Sequence, residues 1–257
     1  MKDQKGKTTI IIAAYNEEKN ISKVLDSLIR AGYYHIIVAD DASTDNTAKI
    51  VSRYLDKGVI LIKHKKNQGQ GAMLRKGIEY ASTKPYGEYI VTFDADGQHR
   101  VEDIERMVRP VAKDICDITL GTRFKGPGKK YIPVGRRIML KGAVIIQGLF
   151  YGVWLTDAHN GFRCFSRKAA RKIKITSNRM EHASEIISEI AKTGLRYREV
   201  PVIIKYTSER MKRADGGLKR AMKVIWGMIK LKFKKWIKQT KLGIKYENSN
   251  FNYNTYI

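Results

Sequence analysis

The residues with the most chemistry in them are Asp94-Ala95-Asp96-Gly97-Gln98-His99, which directly follow the apolar run 88–93. If that run is a strand that stays extended through Asp96, side chains two apart point the same way, so Asp94 and Asp96 share a face with Gln98 just beyond. Two carboxylates and an amide oxygen suit a hard divalent cation, Mg²⁺ or Mn²⁺, whose shell the phosphates of a substrate complete. The chemistry implied is loss of a phosphate leaving group. A lone Asp-x-Asp is more often a solvated turn at a strand end, so the surrounding elements have to decide.

Those elements alternate. Short β-branched runs predict strands over 8–14, 36–39, 59–62, 89–93 and 118–121, and helical spacing of apolar residues predicts helices over 17–31, 44–56, 70–81 and 101–112. A βαβ series of this kind builds an α/β fold, a mostly parallel sheet flanked by helices with its ligand crevice at the carboxyl ends of the strands. Tyr15-Asn16-Glu17, Asp40-Asp41, the stretch from Asp94 to Gln98, and Thr122-Arg123 all fall at such ends. After Arg123 the rhythm breaks at a basic Gly/Pro loop, Lys125-Gly126-Pro127-Gly128-Lys129-Lys130, followed by Arg136-Arg137 and an apolar stretch. A strand over 161–165, a helix over 180–192 and a strand over 196–204 come next. The last predicted helix, 218–238, gathers Leu218, Met222, Ile225, Trp226, Ile229, Phe233 and Trp236 on one side and Arg220, Lys223, Lys230, Lys234 and Lys238 on the other. Three units follow: a catalytic domain over 1–217, a basic amphipathic membrane-associating helix over 218–245, and a disordered Asn- and Tyr-rich tail over 246–257.

With 257 residues, 43% of them hydrophobic, one substantial core is expected. No stretch reaches the roughly 18 uncharged apolar residues of a membrane span. The charged first residues are not those of a secretory signal, and two cysteines, Cys116 and Cys164, read as reduced buried thiols, so a cytoplasmic location is expected. The formal charge is +25, and 205–245 carries 14 Lys and Arg against Glu209 and Asp215. A polyanion or an anionic surface is the implied partner.

Taken together, Tyr15-Asn16-Glu17, the run from Asp40 to Thr47, Asn67-Gln68-Gly69-Gln70-Gly71-Ala72, the Asp94 motif and Gly121-Thr122-Arg123 resemble the ordered motifs of family 2 glycosyltransferases, in the dolichol-phosphate mannose synthase-like branch. The resemblance implies a glycosyltransferase A (Rossmann-like) fold, a nucleotide-diphosphate sugar donor of the GDP-mannose or UDP-glucose type, a divalent metal and inversion at the anomeric carbon. It implies Tyr15, Glu17, Asp41, Asp94, Ala95, Asp96 and Arg123 for the nucleotide sugar, and Asp94, Asp96 and Gln98 for the metal. It further implies Arg136 for the acceptor phosphate, with Arg137 or Lys141 as substitutes because Leu140 stands where a serine is common. Asp96, Arg123, Arg136 and Glu181 become the candidate catalytic residues, while His159 and His182 are weighted toward structural roles. Asp45 and Thr47 read as an ordinary helix cap, and Gly69 and Gly71 as sites of close backbone packing rather than phosphate binding.

The lack of a clear catalytic base fits a polyprenyl (dolichyl or undecaprenyl) phosphate acceptor. A hydroxyl acceptor needs a base, whereas a phosphate monoester with a second pKa of about 6 is already a nucleophile at neutral pH. It needs positioning and neutralisation of repulsion between two phosphate-bearing substrates, which the arginines and metal would supply. The basic helix then places the enzyme at an anionic membrane, peripheral on the cytoplasmic face. The competing reading is a family 2 enzyme acting on a soluble or glycan hydroxyl, with Glu181 as base. Nucleic-acid binding is disfavoured, because positive charge explains neither the Asp-x-Asp nor the acids at strand ends.

Overall fold

The computed structural model describes residues 2–126, 134–157 and 160–205. After a short helix α1 (Lys2–Gly6), seven strands β1 (Thr8–Ala14), β2 (His35–Asp40), β3 (Val59–Lys63), β4 (Tyr89–Asp94), β5 (Ile118–Thr122), β6 (Arg163–Ser166) and β7 (Tyr197–Pro201) form one sheet in the order β3-β2-β1-β4-β6-β5-β7. All ladders are parallel except those of β6, which runs antiparallel between β4 and β5. The ends of the parallel strands and the beginning of β6 therefore lie along one rim.

The strands are apolar on both faces, as a parallel sheet covered by helices requires. On one face Ile10, Ile12, Val38, Val91 and Phe93 pack with α2 (Ile21–Arg30) and α5 (Glu102–Ala112). On the other, Ile11, Ile37, Ile90, Ile118 and Leu120 pack with α4 (Gln70–Ser82), α7 (Arg167–Lys172) and α8 (His182–Thr193). Gly77 lets α4 sit directly on the sheet, since a Cβ there would lie 2.5 Å from Ile11 Cγ2. A small helix α3 (Thr47–Ser52) follows β2, and the 18-residue α6 (Val134–Tyr151) contacts α8. Cys116 and Cys164 are buried and unbridged.

The strands fall where the sequence predicts them to within a residue or two, except the last, where the predicted 196–204 shortens to Tyr197–Pro201. Two helices differ more. α2 begins at Ile21 rather than Glu17, and the predicted 44–56 resolves into α3 and a 3₁₀ turn at Leu55–Lys57, because the residues before each helix are spent in loop hydrogen bonds. Segment 218–245, the tail 246–257 and His159 lie outside the described residues.

Candidate active site

The loops after β1 and β2 are sewn together. Asn16, at φ +53°, accepts Thr44 N–H on its side-chain oxygen at 2.8 Å, and its own N–H donates to Ser43 Oγ at 3.0 Å. Glu17 N–H donates to Thr47 Oγ1 at 2.8 Å, Glu18 N–H to Asp45 Oδ2 at 3.1 Å, and Glu18 Oε2 accepts from Asn46 N–H and Nδ2, both at 3.0 Å. Asp45 and Thr47 are structural, but Asp45 is not the cap residue. Asn46 holds that position without a side-chain capping bond, while Asp45 accepts from Thr47 N–H at 2.9 Å and Thr47 Oγ1 at 2.5 Å. Burial works to raise the Asp45 carboxyl, but these donors outweigh it and hold it below its ordinary value. The result leaves the Tyr15 ring turned outward, 45% exposed.

Asp41 behaves differently from an open nucleotide ligand. It is 3% exposed, and its carboxylate accepts Gln68 N–H at 2.8 Å and Gly69 N–H at 2.6 Å, closing the loop that leads into α4. That loop packs tightly, as expected of its glycines: a Cβ on Gly69 would stand 2.5 Å from Asn178 O, and one on Gly71 2.2 Å from Ser177 O. Glu185 holds the facing segment by accepting the N–H groups of Thr176 and Ser177 at 2.9 and 2.8 Å.

At the end of β4 the shared-face argument needs correction. The strand stops at Asp94, and Ala95 and Asp96 lie in a turn closed by Gln98 N–H on Asp96 Oδ1 at 2.9 Å, with Gly97 at φ +72°. Asp94 and Asp96 are neighbours through this turn, not through strand alternation. Both are half-buried. The Asp94 carboxylate meets His99 Nε2 at 3.2 Å, while His99 Nδ1 accepts Asp94 N–H at 3.2 Å, so the imidazole brackets the end of the strand. His99 is itself fixed between Phe162, stacked at 4.7 Å, and Phe93. A bridge from His99 to Ile204 and the bond from Lys205 N–H to Gln98 O at 2.9 Å tie the loop to the chain beyond β7.

Beyond β5, Arg123 is 5% exposed and clamps Asp157 through Nε at 2.6 Å and Nη2 at 2.7 Å. Glu199 of β7 accepts the N–H groups of Thr156 and Asp157 at 2.6 and 3.3 Å and pairs with Lys125 Nζ at 2.9 Å. Asn160 and Gly161 lead into β6, where Gly161 presses on the end of β4: a Cβ there would lie 3.0 Å from Asp94 Oδ1. Arg163, buried in β6, is a fixed charge beside Asp94 and Asp157.

Of the remaining candidates, Ala95 is buried in the turn, and Glu181 stands half-buried at the position before α8 with no side-chain capping bond. His182 is 4% exposed and bonds Arg179 O at 2.7 Å; burial and the nearby Arg163 charge push it down to about 4. Arg136, Arg137 and Lys141 lie on α6, Arg137 half-buried and Lys141 exposed, with the Arg136 side chain outside the described residues. Asp157, Asn160 and Arg163 belong to the segment 157–163, which resembles the family's later loop that closes on the sugar but gives them no separate roles; His99 stands at the end of the Asp94 motif without a role of its own, and Glu199 was unassigned. The signal was present for Arg163, a charge set between Phe162 and Cys164-Phe165 in a strand-like run.

Residues 9–174 match the family model described as Glycosyl transferase family 2. The chain is 32% identical over 243 residues to the UDP-N-acetylglucosamine–dolichyl-phosphate N-acetylglucosaminyltransferase of Methanococcus voltae, over 88% of this chain and 96% of that one. It is 38% identical over 228 residues to the uncharacterized protein MJ1222 of Methanocaldococcus jannaschii, over 86% and 92% of the two. Among solved structures, glucosyl-3-phosphoglycerate synthase from Mycobacterium tuberculosis, in complex with Mn²⁺, uridine diphosphate and glucosyl-3-phosphoglycerate, shares the fold with a TM-score of 0.59 at 16% identity, covering 85% of this chain and 77% of that one.

Proposed function

Because the chain belongs to glycosyltransferase family 2, we propose that it transfers a hexose from a nucleotide-diphosphate sugar to a polyprenyl phosphate of the dolichyl type at a membrane surface, with inversion. The observation that carries this is the similarity, over nearly the whole of both chains, to an archaeal enzyme whose name states both substrates. That name also favours a uridine nucleotide over GDP-mannose.

The rim fits a hard divalent cation. Asp94 and Asp96 offer carboxylate oxygens on one turn, and the Asp94 side chain is 29% exposed. Mg²⁺ or Mn²⁺ is commonly held by one or two carboxylates and shares its shell with substrate phosphates. Asp94 and Asp96 would hold it, with Gln98 on the same loop, and it would neutralise charge on the departing diphosphate. Tyr15 offers an exposed ring to the base and Glu17 a carboxylate to the ribose, while Asp41 acts through the loop it closes. Arg136 is assigned to the acceptor phosphate, with Arg137 or Lys141 of the same helix as substitutes.

Helix α6 supports a lipid acceptor. It contains no Asp or Glu, and beside Lys141 it exposes Ile145 (54%) and Leu149 (72%), with Trp154 (60%) just past its end. An apolar strip beside cations suits an anionic interface. No helix among the described residues is long and apolar enough to cross a membrane, so a peripheral attachment, aided by the basic segment 218–245, is the reading we adopt.

The test is to incubate the chain and Mn²⁺ with radiolabelled UDP- and GDP-sugars and a polyprenyl phosphate, then extract into organic solvent. Label in the organic phase from a UDP-sugar is expected. Label that stays in a water-soluble product instead favours the hydroxyl-acceptor alternative, with Glu181 as base.

A further inference from the structure

The beginning of β6 holds two buried groups whose donors the fold leaves unused. Strand register sets Arg163 beside Thr92 and Leu120, so its side chain lies on their face of the sheet, the face that Asp94 continues two residues past Thr92. It is 3% exposed. A guanidinium carries five N–H donors, yet its one hydrogen bond among the described residues is a long one, Nη2 to Ala183 O at 3.4 Å. Burial lowers it to about 10, so it remains charged at neutral pH, with Asp94 and Asp157 supporting the charge through space. Asp157 is already committed to Arg123 in a two-point clamp.

Three residues earlier, Asn160 is 6% exposed; its Oδ1 accepts Phe162 N–H at 3.1 Å, and its Nδ2 has no partner. A Cβ at Gly121 would come within 3.2 Å of that nitrogen, which fixes it against the end of β5. Both unused groups are donors, so the missing partner is an acceptor. A cation is ruled out by the Arg163 charge, and a water molecule would satisfy the Asn160 amide without balancing the guanidinium. A phosphoryl oxygen does both.

Charge at the rim points the same way. Arg123 and Asp157 cancel, and a divalent cation on Asp94 and Asp96 would cancel those two carboxylates, leaving the Arg163 charge over. We propose that Asn160 and Arg163 are the seat of the leaving group, binding non-bridging oxygens of the distal phosphate of the donor's diphosphate. This rests on the donor reading given above and adds two residues to it.

Calorimetry on the full chain with Mn²⁺ tests it, titrating uridine diphosphate and uridine monophosphate into the wild type, Arg163→Met, Arg163→Lys and Asn160→Asp, with melting temperatures followed throughout. Arg163→Met and Asn160→Asp should each weaken diphosphate binding about 10- to 100-fold while changing monophosphate binding less than about 3-fold, and Arg163→Lys should recover part of the loss. Asn160→Asp alters one terminal atom and so guards against a folding defect at Arg163. Equal losses for both nucleotides would make the pair structural and overturn the assignment, as would unchanged diphosphate binding with a raised KM for the lipid phosphate, which would give the seat to the acceptor. A wild type that binds neither uridine nor guanosine diphosphate would sink the donor reading itself, whereas a binding wild type with unaffected variants would sink this assignment alone.

Discussion

At the corner where the loops after β1 and β2 meet, polar groups find their partners inside the protein: Asn16 with Ser43 and Thr44, Glu17 and Glu18 with Asp45, Asn46 and Thr47, Asp41 with Gln68 and Gly69. Where β6 begins, the opposite holds. Arg163 and Asn160 are buried, yet most of their donors are idle. Buried polar groups left without partners cost about 1–3 kcal/mol each, so a fold keeps them only where something else completes them. The corner is a finished scaffold that presents Tyr15, and the rim is finished by what binds it.

The comparison can be broken most sharply at the turn that carries Asp96. Asp96→Ala should reduce transfer to background and abolish the Mn²⁺ dependence of diphosphate binding, while the melting temperature stays close to wild type. Full turnover in this variant would remove the turn from the chemistry. The next effect lies within the rim and separates its two arginines. Asp157→Asn strips the buried Arg123 of its countercharge and should cost about 3–5 kcal/mol in denaturant unfolding. A loss below about 1 kcal/mol would show that Arg123 has another anion to lean on.

His182, packed near Arg163, gives an effect of about 3 kcal/mol in acid. Below pH 6.5 the unfolded chain takes up a proton that the folded chain refuses until about pH 4, so the unfolded state gains across that window and stability falls as pH falls. His182→Gln should flatten that part of the profile, and identical pH slopes in variant and wild type would contradict the assignment. The smallest effect belongs to the corner. Asp45→Ala removes bonds to Thr47 and Glu18 and should cost about 1–2 kcal/mol, with donor affinity nearly unchanged if the corner only supports Tyr15. A large loss of donor affinity there would erase the distinction between the two regions.

Much of this was legible in the residues. Strands buried on both faces read as unbroken apolar runs, which is why β1 to β5 fall where expected, and the acids at their ends mark the rim. What escaped has physical reasons. The late start of α2 depends on Asn16, Glu17 and Glu18 bonding to a loop 27 to 30 positions away, and no local pattern carries that information. The antiparallel insertion of β6 is a four-residue strand whose neighbours are chosen by tertiary pairing. Asp41, which the resemblance implies for the nucleotide, also closes the neighbouring loop through Gln68 and Gly69, a pairing 27 and 28 positions apart that no local pattern shows. Arg163 was read only as part of a loop closing on the sugar, and its place beside Asp94 and Asp157 depends on those residues arriving from other elements.

The stitch between His99 and Ile204, with Lys205 bonded to Gln98, bears on where this chain can be divided. The stretch recognisable as family ends at residue 174, but a fragment cut there would lose α8, β7 and the bridge, uncovering the β5 edge and freeing the loop that carries Asp96. The smallest piece worth expressing therefore runs through Lys205, whose N–H is bonded to Gln98 in the turn that carries Asp96.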